Sequence, residues 1–444
     1  MAPRWCSCVT RWWVAVAWIE ELFKQGEKRV DELEVYCFSG TSVSADLKQR
    51  HVSLCSSSVE SGLCIRTIDK GKIGSSSTND PQQWQACLDA AIAGGRLATP
   101  QEWRGLPDPV MLSKEDLAYD PSLVVEPEMA HDLLQGMLEG AAAHPEASVT
   151  SGGAGIAVGE ITFANSHGIR YASRQSEVSI SLEAISGQST GYEFDHAFSR
   201  ALVNPAKVGE QAAFLASRSA GGTDIPTGEY DVILSPIAYA DLLSNIFVPA
   251  LSGRNVLQGR SKLAGRIGET VTAPLLTLYD DPHRQGADGS TWFDAEGSPT
   301  RQLDFVRDGV LKVFAYDLKT AYRAGTESTG SAVRGGFAGL PAIGHHNVIV
   351  DGKREEIFDE PAIYIHSVVG AHTANSLSGD FSVEMSNPFR VKNGGLAEPV
   401  RGAMLTGNFF DLQKQVVALG KETRAVGSYI LPPVKVNKIR VIGK

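Results

Sequence analysis

The chain has 444 residues, 43% of them hydrophobic and 21% charged, with a formal net charge of −10. That length supports two or three domains with separate cores, and the composition is that of an ordinary soluble globular protein. An acidic balance without a Lys/Arg cluster disfavours nucleic acid as a partner, and no apolar run reaches the roughly 18–20 residues that span a bilayer.

Residues 1–14 read as a disordered extension or a wrongly assigned start. Trp12–Ile19 is apolar but short, Glu20-Glu21 follows it, and no small-residue cleavage site is present, so a cytoplasmic location is expected. All six cysteines (Cys6, Cys8, Cys37, Cys55, Cys64, Cys87) precede residue 88. A disulfide framework suits a small secreted domain rather than this chain, and Cys6-x-Cys8 lacks the second pair of a zinc site.

The first module is expected over residues 15–99. A helix from Val14 to Lys24 leads to a strand at Leu33–Phe38. Two further strands end in a hairpin, Leu63–Ile68 and Lys72–Ser75, around a three-residue turn at Asp69-Lys70-Gly71. Pro81–Ala93 reads as a helix closed by Gly94-Gly95. A Pro-rich linker occupies 100–126. The second module, 127–227, opens with a helix from Pro127 to Ala143. Strands are expected at Ser148–Val158, Glu160–Ala164, Ile169–Ala172 and Val178–Ser186. Asn204-Pro205 then starts a helix through Ala216.

The third module spans 228–444. Tyr230–Leu234 is a strand, and Ser235-Pro236 starts a helix with Ile237, Ala240, Leu243 and Phe247 on one face. Hairpins are signalled by Asp308-Gly309, Asp351-Gly352 and Asn393-Gly394. Asp317 can cap a short helix that stops at Gly325, and Asn408 one over Phe409–Leu419. A last strand covers Lys435–Val441. The fold class expected is α+β, with antiparallel hairpin-rich sheets and interleaved helices.

Chemical motifs are sparse. Gly152–Gly159 is glycine-rich but lacks the following helix of a dinucleotide site. Gly187-Gln188-Ser189-Thr190-Gly191 matches a nucleophile elbow in letters, yet no clear helix follows, so it reads as a polar loop. Glu193-x-x-His196 has helical spacing and reads as a surface pair. His366 and His372 would share a face of an ideal strand, although Gly370 interrupts it. Two glycine-bounded loops remain. One carries Ser328, Thr329 and Gly330, the other Ser378, Gly379, Asp380 and Phe381. Their hydroxyls either bond nearby backbone or lie along a bound peptide.

Several segments in order resemble the TldD/PmbA family, described as peptidases and, by an older name, as modulators of DNA gyrase. They are GLCIRTIDKGKIGSSST (62–78), Asn165-Ser166-His167-Gly168, GRSKLAGRIGE (259–269), DAEGSPT (294–300), ESTG (327–330) and LSGDFS (377–382). One kind of member carries H-E-x-x-x-H on the helix that opens the third domain, with a distant cysteine completing a zinc site. Here that helix, SPIAYADLLSNIFVPALSG (235–253), contains neither His nor Glu, and no cysteine follows Cys87. A zinc hydrolase needs about three His, Cys or carboxylate ligands and a base for the attacking water. The resemblance therefore implies the PmbA (TldE) kind of subunit in a metallopeptidase assembly. Zinc would sit in a TldD-like partner rather than in this chain. The partners implied are that subunit, a second copy, or both, together with a peptide substrate; neither nucleic acid nor membrane is implied. Ser328, Thr329, Gly330, Ser378, Gly379, Asp380 and Phe381 are the substrate-contact candidates. Two other readings stay open: an independent metallopeptidase built on His366 and His372, and a non-catalytic peptide-binding scaffold or regulator.

Overall fold

The computed structural model of the protein describes residues 18–444. The extension at 1–14 and the start of the helix expected from Val14 lie outside the described residues; within them the helix runs over 18–26 (α1). Glu32–Lys48 (β1) and His51–Asp69 (β2) form a long hairpin, and Lys72–Thr78 (β3) folds back on β2. The β2–β3 turn has two residues, Lys70 and Gly71, at φ 51° and 73°, because Asp69 already pairs with Lys72. Consecutive positive φ values match the twist of the flanking strands, so the turn is one residue shorter than its polar run suggested.

Ser148–Asn165 (β4), Arg170–Ser186 (β5) and Ser189–Ala197 (β6) complete a six-stranded sheet in the order β3-β2-β1-β4-β5-β6. Strands of the first two sequence modules thus share one sheet, with β1 paired to β4 from Glu34 opposite Asn165 to Lys48 opposite Ser151. The breaks expected within β4 and β5 do not occur. Gly159 stays in the strand, paired with Gly40 and Gln175, and its missing Cβ makes room for the Phe38 ring, 2.8 Å from where that atom would lie.

Trp84–Leu97 (α2), Pro127–Ala141 (α3) and Pro205–Ser219 (α4) supply the helical cover. α2 passes through Gly94-Gly95 instead of ending there. A Cβ on Gly74 of β3 would lie 2.0 Å from the Ala91 carbonyl oxygen, so bare backbone meets bare backbone at this crossing. α3 and α4 bury Leu133, Leu134, Met137 and Val208 against Val43, Ala45, Leu47 and Ile180 of the sheet. Gly187 and Gln188 turn a hairpin, with Ser186 opposite Ser189. The Gly187–Gly191 motif is therefore strand–turn–strand and not a strand-to-helix elbow.

The third module holds two larger sheets. In one, strands follow in the order Ala362–Val369, Gly228–Leu234, Val434–Ile442, Met404–Asn408, Asp380–Lys392 and Gly395–Pro399. Ala362–Val369 also pairs with Asp380–Lys392, which closes the sheet into a barrel. Closure removes exposed strand edges, an outcome no single hairpin signal announces. The other sheet runs Val310–Leu311, Leu303–Arg307, Thr277–Asp280, Val348–Asp351, Tyr429–Leu431, Arg424–Val426. Asp308-Gly309 and Asn393-Gly394 turn hairpins as their letters imply. Asp351-Gly352 does not: Val348–Asp351 sits between an antiparallel and a parallel neighbour. The helix capped by Asn408 ends at Lys414, because Val416–Leu419 is taken as a strand against Val434–Ile442.

Candidate functional site

The helix at the head of the third module starts where Ser235 stops being strand. The Ser235 hydroxyl accepts from the Ile237 and Ala238 amides at 3.1 and 3.2 Å and donates to the His366 carbonyl oxygen. Pro236 occupies the first helical position, where its missing N–H is not needed. Pro236–Leu242 (α5) is α-helical; Leu243–Phe247 then widens into a π-turn before Val248–Ala250 resumes. Such turns commonly mark functional positions. Leu242, Leu243, Ile246 and Phe247 are buried, whereas Asp241, Ser244, Asn245 and Val248 are only half covered. Burial raises the Asp241 carboxyl above its ordinary range.

This strip does not suit zinc. With the carboxylate of an H-E-x-x-x-H pattern laid on Asp241, the imidazole positions fall on Ala240, which has no donor atom, and Asn245. The Asn245 amide nitrogen is already committed to the Asp241 carbonyl at 2.8 Å. Among the described residues, no group of three or more His, Cys, Asp or Glu side chains is placed to hold a metal ion.

The two glycine-bounded loops flank the segment that follows the helix. Thr329 is buried; its hydroxyl accepts from the Tyr316 amide at 2.8 Å and pairs with Ser331 at 2.8 Å. Ser328 donates to the Tyr316 carbonyl and accepts from the Gly330 amide. Gly330, at φ 71°, is buried against Pro299 and Thr300. The Tyr316 ring closes on Gly253, where a Cβ would lie 2.2 Å from it. In the second loop, Ser378 donates to Asp380 at 2.6 Å, and Asn408 donates to Asp380 at 2.8 Å and to the Ser378 carbonyl at 2.7 Å. Lys262 reaches the same carbonyl at 2.9 Å. Gly379 holds φ 86° beneath Phe410, and Phe381 is buried. The exposed groups are thus Asp380 and, in part, Ser328 and Ser378. Thr329, Gly330 and Phe381 support the loops from inside. The segment 253–262 borders both loops, through Gly253 and through Lys262.

The histidine pair does not assemble. His366 is buried in the barrel strand with neither ring nitrogen hydrogen-bonded, and burial lowers its pKa. His372 is exposed on a turn beyond Gly370, whose φ of 99° ends the strand. Glu193 and His196 are not a surface pair either. Three residues apart on β6, they point to opposite faces. Glu193 is buried, bonds Arg424 at 2.5 Å and lies 3.6 Å from the His366 ring. His196 bridges Asp288 at 2.6 Å and Glu177 at 3.2 Å, and hydrogen bonds donated by its ring to these two carboxylates raise its pKa to about 10.

The largest charged constellation escapes a reading of local motifs. Arg66 bonds Glu34 and Glu296, each at 2.7 Å, and Arg334 bonds the other Glu34 oxygen at 2.9 Å. Glu296 also accepts from the Leu318 amide at 2.7 Å. Asp294 accepts from the Glu296, Ser298 and Ala332 amides. Burial raises the Glu296 carboxyl well above the usual range, with Arg66 opposing it. The acidic run of 294–300 is therefore an anchor between the β1–β2 hairpin and the third module. Its only sequence signal was an arginine in the first module and an acidic turn 230 residues away.

Residues 33–94, 120–220 and 227–443 match, in order, domain 1, the central domain and the C-terminal domain of the PmbA/TldA metallopeptidases. A Methanocaldococcus jannaschii protein is 32% identical over 423 residues, covering 94% of this chain and 98% of its own. Metalloprotease PmbA of Escherichia coli O157:H7 is 27% identical, with 91% and 92% covered. The crystal structure of TldE from Thermococcus kodakarensis superposes with a TM-score of 0.90 at 25% identity, over 96% of this chain and all of that one.

Proposed function

This chain belongs to the PmbA/TldD metallopeptidase family, and from that premise we propose that it is a PmbA/TldE-like subunit whose assembly cleaves or matures peptides with zinc carried by a TldD-like partner. The observation that carries the reading is the donor set of the helix at 236–250. It has a π-turn and a half-covered strip but offers one carboxylate and one self-bonded amide. A water-activating zinc site needs more ligands than these. The chain's own contribution is then substrate positioning. Ser328, Ser378 and Asp380 present polar groups beside the segment that follows the helix, on loops held rigid by Tyr316, Asn408 and Lys262. Rigid polar loops suit an extended peptide read mainly through its backbone.

The test is reconstitution. The purified chain alone should hydrolyse no unstructured peptide and hold no stoichiometric zinc. With a TldD-like chain, chelator-sensitive cleavage should appear. In that complex, Asp380→Ala with Ser378→Ala should raise KM several-fold with little change in kcat. Chelator-sensitive cleavage by the chain alone overturns the proposal.

A further inference from the structure

The chain is acidic as a whole, with 51 Asp and Glu against 41 Lys and Arg, yet the segment 253–266 holds Arg254, Arg260, Lys262 and Arg266 and neither Asp nor Glu. Arg266 is committed to Glu269. The other three, and Arg301, are exposed, and among the described residues none of the four has an ion pair. A run of contacts puts these four on one surface. Arg301 donates to the Ser328 carbonyl at 3.3 Å. Ser328 is bonded to Tyr316, whose ring lies against Gly253, next to Arg254. The Arg260 amide closes a turn on the Asn255 carbonyl at 2.7 Å. Lys262 then reaches the Ser378 carbonyl at 2.9 Å. The cations thus follow the path from one candidate loop to the other. The acids of the two loops are Glu327 and Asp380. Glu327 is exposed beside Ser328, whereas Asp380 is committed internally, one oxygen accepting from Ser378 and the other from Asn408.

We infer that the peptides this site selects are acidic, their side-chain carboxylates set on Arg254, Arg260, Lys262 and Arg301 while the backbone runs past Ser328 and Ser378. The inference rests on the subunit reading above and adds a substrate class to it. A guanidinium offers paired N–H donors that match a carboxylate. Arg301 and Lys262 are each steadied by a backbone carbonyl, a neutral acceptor that leaves their charge uncompensated. Arg254 and Arg260 have no side-chain hydrogen bond among the described residues, so their donors are free for a ligand. A single exposed ion pair contributes little. Selection therefore comes from four cations acting on one extended ligand, and from faster encounter at low salt. Backbone pairing alone tolerates many sequences, and the cations supply the discrimination.

The experiment uses the complex of this chain with a TldD-like chain, and three unstructured peptides that share a core and differ in flanks of Glu, Gln or Lys. At about 20 mM salt, kcat/KM should be at least about tenfold higher for the Glu-flanked than for the Lys-flanked peptide, mostly through KM, and the ratio should collapse at about 500 mM. Arg254→Glu with Arg260→Glu should erase the ratio. Lys28→Glu with Lys207→Glu makes the same charge change on exposed lysines of the first two modules and should keep it. Equal cleavage of the three peptides overturns the inference and leaves the subunit reading standing. So does a ratio lost equally in both variants, or an arginine variant that no longer co-sediments with the partner chain. If the complex cleaves nothing, the subunit reading fails, and fluorescence anisotropy of the labelled peptides on this chain decides the inference. Tighter binding of the Glu-flanked peptide that the arginine variant loses upholds it; equal or absent binding overturns it.

Discussion

Replacing Arg66 by Met should be the most damaging single change in the buried ionic cluster. The Arg66 side chain is 5% exposed, and its partners Glu34 and Glu296 are 0% and 1% exposed. Solvent screening therefore removes little of the interaction. Each contact at an effective dielectric near 20 is worth about 4 kcal/mol of attraction, set against several kcal/mol of desolvation per ion. Removing the cation leaves Glu34 with Arg334 alone and Glu296 buried without its ion-pair partner, so Arg66→Met should destabilise by about 3–5 kcal/mol at pH 8. Glu296→Gln is the contrasting change. Its carboxyl already sits well above the usual range through burial, and Gln keeps the acceptor for the Leu318 amide. That variant should lose less than about 1.5 kcal/mol. The sign with pH follows. A carboxyl raised in the folded state binds its proton there before it does in the unfolded chain, so its penalty is absent below the unfolded pKa and full above the folded one. The Arg66→Met loss should shrink as pH falls from 8 toward 5. Urea unfolding followed by circular dichroism at both pH values measures it. Equal losses for the two variants, or a loss for Arg66→Met that grows on acidification, would refute the argument.

Other consequences are simpler. His196, raised to about 10 by Asp288 and Glu177, should stabilise the fold fully below its unfolded value near 6.5 and lose that contribution as pH rises toward 10. The melting temperature of His196→Gln should therefore fall short of wild type by most at pH 6 and converge with it above pH 10. Gly379→Ala should destabilise by about 1–3 kcal/mol, since its φ is 86° and the new Cβ would lie 2.4 Å from the Phe410 ring; chemical denaturation reads the loss. Ser235→Ala should lower stability by about 1–2 kcal/mol, because one hydroxyl serves two helix amides and the His366 carbonyl; here Ser235→Thr should recover part of it.

Local chemistry was legible in the letters. Asp308-Gly309 and Asn393-Gly394 turned hairpins, and Ser235, Asn204, Asp317 and Asn408 capped helices. Each is decided within a few residues, by a positive φ or an orphan amide. Glycines were less readable. Gly94-Gly95 looked like a helix stop and was a contact with Gly74, because the letter G does not say whether its missing Cβ serves a turn or a neighbour. Glu193 and His196 were misjudged for a related reason. Spacing assigns faces only once the period is known, and β6 is a strand.

By itself the sequence determined the family and the α+β class, since both depend on which residue types stand where. Only the tertiary structure decided that the first two modules share one sheet, that the third closes into a barrel, and that Glu296 ties Arg66 of the first module to the Leu318 amide of the third. These are pairings between segments far apart in the chain. Their free energy comes from burial and desolvation, which no local pattern records.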